Sequence, residues 1–116
     1  MSVALTTQQV RDQTKTVTRR TGWRMLRPSD RLTLCAKVQG RKPGEPLDRI
    51  TDVEVTSVRR ERLDAITADD VAAEGLDMTP AEFVAFFCRT HRGCGPADMV
   101  TRIAWRYPPW KEEDEQ

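Results

Sequence analysis

The sequence predicts an α+β fold: a small, curved, mostly antiparallel β-sheet or barrel with about three helices packed around it. Its 116 residues have the size of one domain with one modest hydrophobic core. Strand-like segments fill most of the first half, and helix signals are concentrated between residues 67 and 91. Because few helices separate the early strands, a parallel sheet, which needs long crossover connections, is not expected.

The first predicted elements are a short helix and an extended segment. Thr6 or Thr7 can cap a helix over residues 7–13, TQQVRDQ. Residues 15–20, KTVTRR, are rich in β-branched side chains and are therefore expected to be extended.

Two further strands are predicted, each after a turn or loop. The turn RPSD at 27–30 precedes a half-buried strand over 31–38, in which apolar and polar residues alternate. Residues 39–48 contain two glycines and two prolines and are expected to form a loop. The β-branched run over 49–63 predicts a long strand. Its apolar period slips within 50–53, which predicts a bulge.

Two helices are predicted in the second half. One covers residues 67–76, with Thr67 as its cap and Gly75 as its stop. The other covers 79–91 and opens with the T-x-x-E pattern of a capping box, with proline at the first helical position. Three phenylalanines on one face of this helix are expected to enter the core: Phe83, Phe86 and Phe87.

A last strand over residues 99–107 completes a single predicted domain, residues 1–107. Residues 108–116 are expected to form an acidic, disordered tail. No apolar run approaches the length of about 18 residues that a membrane span needs, and no secretory signal is recognisable. The three cysteines are an odd number without an export signal, so we expect reduced thiols in a cytoplasmic protein that has no membrane partner.

Positive charge is concentrated in the first half of the chain. Residues 1–62 hold 14 Lys and Arg against 7 Asp and Glu, a net of +7. Residues 63–116 hold 5 against 11, a net of −6. This polarity fits either a polyanion bound on one face or attraction between the two halves of the fold.

The segment QTKTVTRRTGWR, residues 13–24, contains one lysine and three arginines but only one aliphatic residue. One explanation is contact with RNA phosphates, which guanidinium groups bind bidentately, and stacking of Trp23 on a base. The alternative is a solvated edge that prevents strand aggregation, with Trp23 in the core. The charge density exceeds what edge protection needs, so the first explanation is favoured. The predicted nucleic-acid-binding residues are Arg19, Arg20, Trp23, Arg24 and Arg27.

A second basic cluster follows the long strand. Its members are Arg59, Arg60 and Arg62. These arginines either extend the same surface or pair with Asp69 and Asp70.

The order of these motifs resembles that of the ASCH domains, a family of PUA-like β-barrels. The resemblance covers nearly all of residues 5–107. It rests on the K-T-x-T-x-R pattern from Lys15 to Arg20, on the PSDRLTL turn and strand, and on LDAITADDVAAEG before the second predicted helix. TKTVTRR and GWR also resemble ASCH proteins of actinobacterial phages. The resemblance implies a PUA-like barrel with a cleft between the basic strand and the helical segment, a nucleic-acid partner and, for a phage protein, the host-cell cytoplasm.

The chain also resembles bacterial ASCH amidohydrolases that remove the acetyl group from N4-acetylcytidine. The motif positions to which that chemistry is assigned fall here on Lys15, Thr18 and Glu74. This chain departs from the hydrolase pattern at residues 18–20, Thr-Arg-Arg, where that pattern has an aliphatic residue before a single arginine. Its proline-rich loop at 39–47 is also longer.

Elementary chemistry gives these three residues a coherent role. A threonine hydroxyl needs a base to become a nucleophile, and a lysine can be that base only if burial or a neighbouring cation lowers its pKa. Glu74 could orient the amine or shuttle the proton. Lys15 and Thr18 are three residues apart, so a shared site requires a bend or bulge between them. The alternative is an ordinary ion pair of Lys15 and Glu74, with Thr18 a plain strand residue.

Cys88, His91 and Cys94 have a C-x2-H-x2-C spacing at a predicted helix end. A structural zinc site needs four ligands, and nothing marks Cys35 as the fourth. We therefore expect Cys88 in the core, His91 bonded to the last helix carbonyls, and no metal or other cofactor.

Three functions fit the sequence. The favoured one is a nucleic-acid-binding module that holds RNA or a modified nucleoside in a basic cleft. The second is an amidohydrolase that acts on N4-acetylcytidine or a related amide. The third is a phage protein-interaction module that uses the charge asymmetry.

Overall fold

The computed structural model describes residues 1–36 and 48–110, and it has the predicted α+β class. A four-stranded antiparallel sheet curls into a half-barrel, with about three helices around it. The predicted loop at 39–47 and residues 111–116 of the predicted tail lie outside the described residues. Within the described part, no helix is long and apolar enough to cross a membrane.

The strands pair in the order β1-β4-β3-β2, every neighbour antiparallel. Their bounds are β1 Val17–Arg20, β2 Arg31–Cys35, β3 Arg49–Arg62 and β4 Met99–Arg106. The helices are α1 Thr7–Arg11, α2 Ala68–Ala73 and α3 Pro80–Thr90, and 3-10 turns lie at Ala4–Thr6 and Leu63–Ala65. The described strand β2 ends at Cys35, and residues 37 and 38 of the predicted strand lie outside the described residues.

Strand β3 is long enough to pair with β2 at its start and with β4 further on. Its register with β2 shifts at Ile50, and its register with β4 shifts at Thr56. The first shift falls where the slip in apolar period predicted a bulge. Bulges bend a strand and increase its twist, which accounts for the curl of this sheet.

The first residues of the chain cover the outer edge of β2. The Val3 amide donates to the Cys35 carbonyl over 2.8 Å, and the Cys35 amide donates to the Met1 carbonyl over 2.9 Å. This short parallel pairing protects an edge that would otherwise be open to other chains. It also holds residues 1–6 against the end of the sheet.

Local capping chemistry sets the ends of α2 and α3 as predicted. The Thr67 hydroxyl accepts from the Asp70 amide over 3.2 Å, and Thr79 and Glu82 make a reciprocal capping box. The prediction for α1 was wrong in detail. Thr6 occupies the N-cap position without a side-chain bond, and the Thr7 hydroxyl donates backwards to the Val3 and Ala4 carbonyls.

Two clusters of buried residues form the core. The sheet cluster joins the N-terminal segment and α1 to the strands and consists of Val3, Val10, Leu32, Leu34, Val53, Val55, Ile103 and Trp105. The helix cluster lies under α2 and α3 and consists of Leu63, Ile66, Val71, Phe83, Phe87 and Val100. Phe86 is only half-buried, which corrects the prediction that all three phenylalanines enter the core.

The segment after β4 stays in contact with the sheet as far as it is described. The Arg31 guanidinium lies 3.8 Å from the centre of the Trp110 ring. Cation–π stacking of this kind contributes about 0.5–1 kcal/mol at exposed sites.

Candidate functional site

A cavity of about 800 Å³ lies between the N-terminal segment, the end of β1 and helix α3. Its polar lining includes Lys15, Thr18, Arg19, Arg20 and Glu74. Its apolar and aromatic lining includes Leu76, Phe83, Phe86, Phe87 and Trp23, together with His91. The three residues that the hydrolase motif singled out therefore line one cavity.

Lys15 is the most constrained of these residues. Its carbonyl accepts from the Trp105 indole over 3.0 Å and from the Tyr107 hydroxyl over 2.5 Å. Its Nζ donates to the Glu74 carbonyl over 2.9 Å and to Glu74 Oε1 over 3.1 Å. An ammonium has three hydrogens, and the third finds no acceptor among the described residues.

Burial lowers the pKa of Lys15, because a charged amine loses its hydration inside the protein. Arg20 and Arg19 add to this lowering through charge repulsion, whereas Glu74 opposes it. A lysine can act as a base only if its pKa is lowered, and the pKa of Lys15 is shifted in that direction.

The bend between Lys15 and Thr18 is located differently from the prediction. The register of β1 with β4 is continuous from Val17 to Arg20, so this pairing contains no bulge. Lys15 instead precedes the strand, in the turn after α1, where its amide donates to the Gln9 carbonyl over 3.1 Å. Because Lys15 lies in this turn, the alternation of side-chain directions along β1 does not apply to it.

Glu74 caps the C-terminal end of α2 and is held between two cations. Its side chain is about 5% exposed; Oε1 meets Lys15, and Oε2 accepts from Arg19 Nη1 over 3.2 Å. Removing a carboxylate from water is costly unless it is paired and hydrogen-bonded, and here both oxygens have cationic partners. The position of the Glu74 side chain is thus fixed by Lys15 and Arg19.

Arg19 lies inside the protein, which separates it from the predicted phosphate-binding residues. It is 3% exposed, and its Nη2 donates to Glu61 over 2.7 Å and to Asp70 over 2.5 Å. With Glu74 as a third partner, both Nη groups of Arg19 are bound to carboxylates, whereas its buried Nε has no hydrogen-bond partner among the described residues. Its role is to join β1 to β3 and α2.

Asp70 connects two arginines that are directly opposite each other on β1 and β4, Arg19 and Arg102. Arg102 donates two hydrogen bonds to Asp70, over 2.7 and 3.0 Å. Bonds from Arg102 and Arg19 hold the pKa of Asp70 well below its usual value, although burial acts in the opposite direction. Without this carboxylate, the facing arginines would repel each other.

Arg20 and Thr18 are bonded to each other at the cavity wall. Arg20 Nε donates to the Thr18 hydroxyl over 3.2 Å, and its Nη2 donates to the Ser2 carbonyl over 2.8 Å. Arg20 is half-buried and has no carboxylate within ion-pair distance among the described residues. It is therefore the cavity arginine that keeps a free net charge.

The other predicted nucleic-acid-binding residues are exposed. Trp23 lines the cavity and is 42% exposed, so it is not the core residue of the alternative explanation. Arg24 and Arg27 are exposed on the segment between β1 and β2, and the cavity lining does not include them.

The second arginine cluster pairs locally. Arg59 bonds Glu61 over 2.9 Å, and Arg62 bonds Asp64 over 2.8 Å. The expected alternative, pairing with Asp69 and Asp70, is wrong in the described structure, since Asp70 is bound to Arg19 and Arg102. Arg60 donates to the Thr101 hydroxyl over 2.7 Å.

His91 behaves as predicted for a residue at a helix end. Its Nδ1 lies 3.0 Å from the Phe87 carbonyl, and its ring stacks on that of Phe87 at 3.8 Å. Cys88 packs against the helix cluster. The described residues contain no group of three or more metal-binding side chains.

Sequence reasoning missed the carboxylates around Arg19, namely Glu61 and Asp70, and the wall formed by residues 1–6. One signal was available, since consecutive arginines in a short strand cannot both face solvent on the same side. That signal indicates a buried cation in need of a partner, but it does not identify the partner.

The fold and cavity define a small α+β domain with one largely buried polar site. No protein-family model and no curated protein matches the chain. Among solved structures, it is similar to the crystal structure of protein EF3133 from Enterococcus faecalis V583, described by the family model DUF984. The TM-score is 0.63 at 13% identity, over 88% of this chain and 66% of that one. At this identity the likeness shows a shared fold alone, and the chain spans just under two thirds of EF3133.

Proposed function

We propose that the protein binds RNA or a modified nucleoside, with one base held in the cavity. The observation that carries this proposal is the buried Lys15 side chain, whose ammonium form has a third hydrogen without a described partner and which lines the same cavity as the Thr18 hydroxyl. A buried donor without an acceptor is costly, so a ligand oxygen or ring nitrogen there stabilises the site.

The shape and lining of the cavity also suit a base. Its volume of about 800 Å³ lies within the usual range of about 300–1,000 Å³ for small-ligand sites. A base has two apolar faces and a polar edge. Phe86 and the partly exposed Trp23 offer surfaces for the faces, and Lys15 and Thr18 offer polar groups for the edge. The resemblance of the β1 motif to ASCH domains supports the same ligand class.

The test is isothermal titration calorimetry with cytidine and with N4-acetylcytidine. Thr18→Val keeps the shape of the side chain and removes its hydroxyl, so we expect about tenfold weaker binding. Thr16→Val is the matched control, because this neighbouring residue does not line the cavity. Absence of binding to both nucleosides, or equal losses in the two variants, would contradict the proposal.

A second function, hydrolysis of an acylated cytidine, is favoured by the lowered pKa of Lys15. In this reaction the neutral Lys15 amine accepts the Thr18 proton, and the Thr18 oxygen attacks the amide carbonyl. The C–N bond breaks, the amine of the base leaves with a proton from Lys15, and water then releases acetate from Thr18. Glu74, bonded to Lys15 and Arg19, orients the amine.

A further inference from the structure

A second, more open hollow of about 520 Å³ adjoins the cavity. His91 lines both. Arg20 lines the cavity, and the next residue, Thr21, lines the hollow. The linings of the two spaces are therefore adjacent along two chain segments, the end of β1 and the end of α3.

The hollow is lined by two arginines without a carboxylate partner among the described residues. Arg60 is held in position by its bonds to the Thr101 hydroxyl and the Met99 carbonyl. Its neighbours in β3, Arg59 and Arg62, are instead neutralised by Glu61 and Asp64. Arg92, in the turn after α3, is exposed and lines the hollow beside Arg60.

One acidic residue, Asp98, also belongs to the described lining of the hollow. Its carboxylate accepts from the Gly95 amide over 2.7 Å, so it is engaged in a local turn. The described lining thus contains two guanidinium groups and one carboxylate, which is hydrogen-bonded to the Gly95 amide. This leaves an excess of positive charge. A hydroxyl from Thr21 adds a further possible donor.

We propose that this hollow binds a phosphate group of the nucleotide whose base occupies the cavity. The inference rests on the proposed function and narrows its ligand to a nucleotide or RNA strand rather than a free nucleoside. The ribose then lies at the boundary that His91 forms, where stacking on Phe87 and the Nδ1 bond hold the imidazole ring. Arg60 and Arg92 make the charge-assisted hydrogen bonds to the phosphate oxygens.

The test compares the Kd of cytidine with those of cytidine 3′-monophosphate and 5′-monophosphate, measured by calorimetry. We expect one of the monophosphates to bind at least about tenfold more tightly than cytidine. Arg92→Ala and Arg60→Gln should each remove about threefold or more of this preference and leave the Kd of cytidine unchanged. Arg60→Gln keeps a donor for the Thr101 hydroxyl. Arg89→Ala is the control, since Arg89 is exposed on α3 and lines neither space.

Equal Kd values for cytidine and both monophosphates would overturn the phosphate site but leave the base site standing. Variants that weaken cytidine as much as the monophosphates, or a control that behaves like the variants, would also overturn it. If neither cytidine nor its monophosphates bind, the phosphate site fails, and if N4-acetylcytidine does not bind either, the base site fails with it.

Discussion

Lys15 and Glu74 form a pair whose members depend on each other and on Arg19. Burial favours the neutral lysine, but the adjacent carboxylate favours the charged form. Arg19 alters this balance because it gives Glu74 a second cation. The carboxylate therefore keeps a charged partner when Lys15 is neutral, a state that an isolated buried pair would resist.

This arrangement predicts a rate of N4-acetylcytidine hydrolysis that rises with pH. In the proposed reaction the neutral Lys15 amine is the base, and its lowered pKa places the expected rise below the usual range of lysine. Lys15→Ala, Thr18→Ala and Glu74→Ala should each lower the rate by about a hundredfold or more, without additivity in combination. Release of cytidine, followed by chromatography from pH 6 to 10, is the measurement. Thr16→Val should keep the wild-type rate and pH profile.

A wild-type protein that binds cytidine but leaves N4-acetylcytidine intact across this pH range would refute catalysis. The same three residues would then serve only to hold the ligand.

The meeting of Lys15, Thr18 and Glu74 was predictable only from the motif resemblance. Lys15 and Glu74 lie 59 residues apart in sequence, and no local pattern states that α2 packs against the start of β1. The partners of the buried Arg19 were not predictable for the same reason. Its three carboxylates come from β3, α2 and the end of α2, which only the tertiary fold brings together.

At the scale of elements, Gly75 is the residue at which the segment after α2 contacts α1. Its φ is +88°, and a Cβ there would lie 2.9 Å from Gln9 Cβ. The Gln9 amide also donates to the Gly75 carbonyl over 2.9 Å. Helix α1 therefore fits against a backbone that has room for no side chain.

Three glycine substitutions separate backbone strain from this close approach. Gly75→Ala should lower the free energy of unfolding by about 2–3 kcal/mol, because it adds a clash to left-handed strain of about 1–2 kcal/mol. Gly93 has a similar φ of +84°, but a Cβ there would meet open space. Gly93→Ala should therefore lower the free energy of unfolding by only about 1 kcal/mol. Gly22→Ala has neither feature and should change stability by less than about 0.5 kcal/mol.

Urea unfolding followed by circular dichroism measures all three. Equal losses for Gly75→Ala and Gly93→Ala would show that the contact with Gln9 is unimportant.

Helix ends could be predicted where their signals are local. The caps at Thr67 and Thr79 require only neighbouring residues, and both are correct. The cap of α1 failed because a 3-10 turn leads into it and redirects the Thr7 hydroxyl. The bulge at Ile50 was visible as a break in apolar alternation, whereas the one at Thr56 was not detected.

At the scale of the whole molecule, ion pairs inside the fold neutralise part of the charge asymmetry. Arg19, from the basic half, is bound to Asp70 and Glu74 of the acidic half. Attraction between the halves is therefore real, and it was one of the two explanations open from the sequence. It does not account for Arg24 and Arg27, which are exposed and make no ion pair with described residues.

If the proposed RNA contact includes these two arginines, RNA affinity should fall as salt rises. Each phosphate contact to a single strand contributes about 0.7 to the slope of log K against log salt. Replacing Arg24 and Arg27 with alanine should therefore reduce the slope by about 1.4 and weaken binding to all RNA sequences alike. Fluorescence anisotropy with a labelled single-stranded RNA measures this between about 50 and 200 mM salt.

The matched control replaces Arg59 and Arg62, which carboxylates already neutralise. It should change the slope little. A slope that is the same in the wild type and the Arg24 and Arg27 double variant would exclude this segment from the RNA contact.

The fold class followed from the order of element types, which is a property of the whole sequence. The sheet order β1-β4-β3-β2 could not be predicted, because β1 pairs with the strand most distant from it in sequence. Alternation of apolar residues specifies which face of a strand is buried, not which strand lies beside it.

The cavity lies where the two buried clusters approach each other, since its lining includes Val3 of the sheet cluster and Phe83 and Phe87 of the helix cluster. A ligand there touches both halves of the core at once. By mass action, a molecule that binds only the folded chain adds about 2.7 kcal/mol to the free energy of unfolding at a hundred times its Kd. For a domain near 100 residues, that corresponds to roughly 10–20 °C in melting temperature. Heating the protein with a panel of nucleosides and nucleotides therefore identifies its ligand without any prior assay of activity.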